Sequence, residues 1–104
     1  MAKIIEGTTP TATYKFKTVK PAELAKAFFT VKVNGEVVIE KTLAEAAVGE
    51  DTLTWKLTQE ETLLVGTRTA TAMCNWILPD GTRGASTEDA IIGVSNHKKE
   101  VIRP

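Results

Sequence analysis

One cysteine, one histidine and no net charge are what this chain of 104 residues most conspicuously offers too little of. Cys74 alone cannot form an internal disulfide or a multi-cysteine zinc site. With His97 as the single histidine, any metal would have to be held by carboxylates, and no spaced Asp loop of the calcium-binding kind is present. Thirteen Lys and Arg offset thirteen Asp and Glu, so no field draws the chain to nucleic acid or to anionic lipid. Aromatic residues make up 6%, too few for a stacking platform once a core has been filled. No apolar run approaches the roughly 20 residues of a membrane span. Met1-Ala2-Lys3-Ile4-Ile5-Glu6 reaches a carboxylate after two large apolar residues, so no signal peptide is expected. What remains, 42% hydrophobic and 25% charged residues, fits one domain over residues 1–104 that buries roughly two-thirds of its unfolded surface.

Threonine is what the chain has in excess, sixteen against two serines. Being β-branched, it suits a pleated and half-buried surface, and most of these threonines alternate with apolar residues. The alternation predicts strands at Lys3 to Glu6, Thr11 to Lys17, Ala27 to Val33, Glu36 to Lys41, Thr52 to Thr58, Thr67 to Leu78 and Ala85 to Val94, with Val101-Ile102 as a final short one. Asn34-Gly35 has the residue types of a type I′ hairpin turn. Pro21-Ala22-Glu23-Leu24-Ala25 and Leu43-Ala44-Glu45-Ala46-Ala47 read as short helical turns. Thr58-Gln59-Glu60-Glu61 fits a capping box that opens a single turn through Leu64. Together these elements predict an all-β fold: an antiparallel β-sandwich of immunoglobulin-like size, with about seven short strands and one or two helical turns in the connections. A partly open barrel is the runner-up. The predicted core is Tyr14, Phe16, Phe29, Val31, Leu53, Trp55, Leu57, Trp76 and Leu78, with small Ala70, Ala72 and Cys74 facing the aromatic residues.

Catalytic groups are sparse. Cys74 shares a strand face with Ala72 and Trp76, where a buried small hydrophobe is the plain interpretation, and His97 lies in a polar stretch beyond the last strong strand. The carboxylate pairs Glu50-Asp51, Glu60-Glu61 and Glu88-Asp89 are each adjacent in sequence, so on a strand their side chains diverge, and the second pair has a capping role. Gly81-Thr82-Arg83-Gly84 matches the GXXG pattern of nucleic-acid clamps, but the predicted strands on both sides make it a hairpin turn. No phosphate loop, dinucleotide fingerprint or Ser-His-Asp set occurs. The expectation is a chain without enzymatic activity, metal or cofactor.

Three stretches carry a resemblance. Ile4-Ile5-Glu6-Gly7-Thr8-Thr9-Pro10-Thr11, Leu57-Thr58-Gln59-Glu60-Glu61-Thr62-Leu63, and Asn75-Trp76 followed by Asp80-Gly81-Thr82-Arg83-Gly84-Ala85-Ser86 are similar to small proteins of the tail and baseplate modules of phages and prophages of Gram-positive, often gut, bacteria. The likeness spans nearly the whole chain. More loosely, the chain resembles the N-terminal β domain of baseplate upper proteins. It departs from the pattern at Ala70, Ala72 and Cys74, where larger aliphatics are usual. The resemblance implies a virion structural or tail-associated component, located in the virion or in the host cytoplasm during assembly. Its implied partners are other tail or baseplate proteins and further copies of itself, with homo-oligomers among the expected assemblies and neither nucleic acid nor membrane involved. A small ligand-binding module of carbohydrate-binding type is the alternative.

Contact residues follow from edges and faces. The terminal strands at Ile4-Ile5 and Val101-Ile102 offer main-chain pairing. Met73 and Ile77 form a half-apolar face on the long strand. The hairpin tip from Asp80 to Arg83 is a further contact point.

Overall fold

A computed structural model describes residues 2–104; Met1, the first residue of the segment read for a signal peptide, lies outside them. Among the described residues nine strands form two sheets: β1 (Ala2–Ile5), β2 (Thr11–Lys15), β3 (Lys26–Val33), β4 (Glu36–Thr42), β5 (Ala47–Val48), β6 (Thr52–Lys56), β7 (Thr69–Ile77), β8 (Arg83–Ala85) and β9 (Asp89–Val94). One helix, α1 (Gln59–Val65), and two 3-10 turns at Pro21–Glu23 and Leu43–Glu45 sit in the connections. The larger sheet runs β1-β9-β7-β3-β4, with β8 on the same edge of β7 as β9; the smaller runs β2-β6-β5. The expected β-sandwich is therefore the observed fold.

Alternation decides which face each strand buries. Ala27, Phe29, Val31 and Val33 of β3 point inward, as do Ala70, Ala72 and Cys74 of β7 and Leu53 and Trp55 of β6. Asn34 and Gly35 both adopt positive φ, 53° and 79°, which the two-residue β3–β4 hairpin requires of its central positions. Ile39 and Lys41 of β4 face inward, and a bulge between Val31 and Lys32 shifts the register of the pair. Tyr14, Trp76 and Leu78 are only half-buried and flank the core rather than fill it.

An aromatic cluster joins the sheets. The Phe29 and Trp55 rings stack with centroids 5.6 Å apart and planes 19° from parallel. Tyr14 meets Phe29 at 6.0 Å and, edge-on, Trp55 at 6.1 Å. The Trp55 indole N–H donates to the Thr42 carbonyl at 2.9 Å, so the buried ring leaves no polar atom unpaired.

Three of the four crossings between the sheets have a side-chain fastening of their own. Thr58 caps α1: its hydroxyl accepts the Glu61 amide at 3.1 Å, and the Glu61 carboxylate accepts the Thr58 amide at 2.8 Å. Glu45 accepts the Thr42 amide in the same way at the second 3-10 turn. Lys41, almost fully buried, reaches Glu61 at 3.0 Å and Glu45 at 3.9 Å, so one ammonium links both caps. Thr62 is wholly buried and donates to the Thr8 carbonyl at 2.8 Å, tying α1 to the β1–β2 connection. Gly93 comes close against the turn after α1: its amide donates to Arg68 O at 3.0 Å, and a Cβ placed on it would stand 2.9 Å from that oxygen and closer still to the Gly66 carbonyl.

Five details differ from the sequence reading. The sandwich is not purely antiparallel, because β1 pairs in parallel with β9. The expected strand from Ala85 to Val94 is split: Ser86 exchanges hydrogen bonds with Cys74 through both its amide and its hydroxyl, and β9 begins only after this clasp. The helix after Thr58 runs two turns, and β5 is an additional strand. Val101-Ile102 is not a strand; Gln59 occupies the main chain of Ile102 through bonds of 2.7 and 2.9 Å, which satisfies locally the groups a strand partner would have used.

Replacing Trp55 with Ala should cost about 3 to 5 kcal/mol by removing the ring that spans both sheets. Urea denaturation measures the loss, and a parental midpoint would contradict the packing described. Glu61→Ala should destabilise by about 2 to 3 kcal/mol, through loss of a cap and of the short Lys41 bridge, and half-exposed Glu45→Ala by about 1 kcal/mol. The same denaturation series ranks the two.

Candidate docking surface

The residues expected at partner contacts do not converge on one site. Ile4 turns into the core at 6% exposure, because the parallel pairing with β9 fixes its side chain inward; it is not a surface group. Ile5, next along the strand, is 46% exposed on the outer face. Met73 and Ile77 also lie on the outer face of the larger sheet and are half-buried. Asp80 and Arg83 are exposed at the β7–β8 hairpin, where the Asp80 carboxylate accepts the Thr82 amide at 2.8 Å. That bond holds the Asp80 carboxyl below its ordinary pKa. Gly81-Thr82-Arg83-Gly84 is accordingly a hairpin tip, closed by Leu78 N–H to Thr82 O at 2.9 Å. The main chain of Ile102 is held by Gln59 at the start of α1, with the Ile102 side chain 58% exposed and Val101 before it half-buried.

The groups weighed for catalysis are apart or occupied. Cys74 is fully buried, and His97 is exposed beyond β9. Glu61 is engaged in the helix cap, and Asp51 lies 3.8 Å from Lys15. Among the described residues no group of three His, Cys, Asp or Glu side chains is arranged to hold a metal. Burial pushes the Cys74 thiol up to about 11. Tyr14 is pushed up to about 12, first by burial and then by the charges of Asp89 and Cys74.

The third carboxylate pair leads to a concavity. Between β2 and the β1–β9 side of the larger sheet lies an open crevice of about 610 Å³. Ala12, Tyr14, Phe29, Leu57 and Ala72 line its interior, and Glu88 and Asp89 stand on one lip. It exists because the inward residues here are small: Ala12 on β2 and Ala72 on β7 leave a gap where the aromatic cluster stops. That shortage of bulk was visible in the sequence as an unusual run of small residues at inward positions, but which side of the sandwich it would open was not.

No family model matches the chain, and no curated protein does. Among solved structures, the immunoglobulin-like domain of mouse leukocyte-associated immunoglobulin-like receptor 1, crystallised as a strand-swapped dimer, superposes with a TM-score of 0.56 at 12% identity, covering 88% of this chain and 85% of that one. Extracellular domains 3–5 of Drosophila OTK align at a TM-score of 0.45 and 11% identity, over 92% of this chain and 33% of that one. The fold is an immunoglobulin-like β-sandwich. In that arrangement one sheet has strands A, B, E and D and the other has C, F and G, with C′ added in variable-type domains. By connectivity β2, β6 and β5 stand for B, E and D, and β3, β4, β7 and β9 for C, C′, F and G. The inter-sheet disulfide of antibody domains has no counterpart, since Cys74 of β7 is the only cysteine. Nor, among the described residues, does a strand occupy the position of A beside β2: the first strand pairs with β9 instead.

The raised acids set an alkaline limit. A group whose pKa is higher in the folded state stabilises fully below its unfolded value, and that contribution is lost as pH climbs to the folded value. The melting temperature should therefore hold up to pH 9 and fall between the ordinary Cys value of 9.0 and about 11, with Tyr14 adding a decline from 10.0 to about 12. Cys74→Ala should remove the earlier part of the decline. In the same preparation the Cys74 thiol should react with a thiol reagent orders of magnitude faster after unfolding than before.

Proposed function

We propose that this chain is a non-enzymatic structural or tail-associated protein of a phage or prophage virion, acting through protein–protein contacts. One observation carries the reading: the three stretches that resemble tail and baseplate proteins coincide with the joints of the sandwich. Ile4 to Thr11 is the β1 pairing and the crossing to β2; Leu57 to Leu63 is the residue after β6, the capping box and α1; Asn75-Trp76 with Asp80 to Ser86 is the β7–β8 hairpin, its paired strand residues and its Ser86 clasp. Residues of this kind specify a scaffold and no reaction, which suits a component whose work is to hold its neighbours. A fold neighbour that forms a strand-swapped dimer supports self-association as one mode of contact. The second reading, a small ligand-binding module, is favoured by the crevice beside β2 and the Tyr14 ring within it.

Sedimentation of the full chain, alone and mixed with phage tail and baseplate proteins, tests the proposal. A defined complex with at least one of them is the expected result. A chain that stays monomeric and ignores every such protein would overturn the structural role, and binding of soluble glycans at the crevice would then establish the ligand-binding reading.

A further inference from the structure

The smaller sheet ends at β2, and no strand among the described residues pairs with its outer side. The Pro10 carbonyl accepts from Leu57 at 2.9 Å, and the Phe16 amide donates to Asp51 at 2.7 Å. In an antiparallel pair such bonds recur every second residue, so the even-numbered residues face β6, and the amides and carbonyls of Thr11, Thr13 and Lys15 point away from the sheet. These outward groups run along the crevice, into whose interior Ala12 and Tyr14 project. On the opposite lip Glu88 and Asp89 are exposed, and among the described residues neither has an ion-pair partner within 4.0 Å.

Each of these properties narrows the occupant. Open main-chain donors and acceptors in a row are matched by another main chain, not by a compact small molecule. Apolar floor positions two residues apart accept side chains from every second residue of an extended segment. Two carboxylates, Glu88 and Asp89, outnumber the one ammonium in the crevice lining, Lys3, and favour a cation at the residue that passes their lip. We propose that the β2 edge and the adjoining crevice form a receptor for an extended strand of a partner protein, apolar at alternate residues and carrying Lys or Arg opposite Glu88 and Asp89. Such a strand would occupy the position that strand A holds in immunoglobulin domains, completing a four-stranded sheet and covering the thinnest part of the core. The inference rests on the role of the chain as a protein-docking module and names the chemistry of its partner.

The test uses the isotope-labelled full chain and two synthetic probes, the heptapeptide Lys-Val-Thr-Val-Thr-Val-Thr and its twin beginning with Glu. The Lys peptide should bind more tightly, shift the amide resonances of Thr11, Thr13 and Lys15, and slow their hydrogen exchange at least about tenfold. Thr13→Pro removes an outward N–H that β6 does not use and should weaken binding by about tenfold. Thr13→Val, which loses only the 3.1 Å hydroxyl contact with Thr54 and keeps the amide, should bind like the parent. The double change Glu88→Lys and Asp89→Lys, confined to exposed groups, should transfer the preference to the Glu peptide. Failure of both peptides to bind, or binding that leaves the β2 amides unmoved, would overturn the proposal. So would concentration-dependent shifts at Thr11 and Thr13 without peptide, which would make a second copy the occupant. If a tail protein binds Thr13→Pro as well as the parent, the edge inference fails while the docking role stands; if the peptides bind at β2 and no tail protein does, the reverse holds.

Discussion

The stack of Phe29 on Trp55 is the contact on which the rest of this sandwich depends. No covalent link joins the two sheets, since Cys74 has no partner, and along most of its length β7 presents small Ala70, Ala72 and Cys74 to the interior, with half-buried Trp76 against Phe16 at its far end. The distance between sheets must then be held by large rings from β2, β3 and β6, and Tyr14, Phe29 and Trp55 supply them in mutual contact. Aromatic pairs contribute beyond their buried area because edge and face attract. Where the cluster ends, the sheets have little between them, and the crevice beside β2 opens. Core and candidate docking surface thus share one cause: the small side chains of β7.

The joints between strands are built from threonine, glutamate and one lysine. Thr58 with Glu61 and Thr42 with Glu45 cap two short helical segments, and buried Lys41 holds both carboxylates. A lysine in that position costs desolvation, which the two carboxylates offset only if the segments carrying them stay in place. The network therefore fixes where the chain leaves β4 and where it enters α1. It also leaves the surface of α1 to Gln59, which takes the main chain around Ile102.

Much of this could be read from residue order. Period-two alternation identified the inward faces of β3, β6 and β7, and Asn34-Gly35 and the Thr58 box identified a hairpin and a helix start, because each depends on chemistry within a few residues. What escaped the reading depends on distant partners. The parallel pairing of β1 with β9 rests on nothing local to Ile4, and so Ile4 was expected at the surface. Val101-Ile102 has the apolar pair of a strand but is taken by a glutamine more than forty residues away. Lys41 lies in the inward phase of β4, a signal that was present, yet its meaning depended on Glu61 across the fold. The crevice was legible only as a deficit of side-chain volume, without a place.

Gly93 makes the N-terminal strand hostage to a single hydrogen atom. β9 lies against the Gly66–Arg68 turn with no room for even a methyl group at this residue, and β1 touches the larger sheet through β9 alone. A side chain at residue 93 would act as a wedge at the very position that lies opposite Ile4 of β1. The seating of the first strand is thus decided on the last one, by the bare backbone of a glycine.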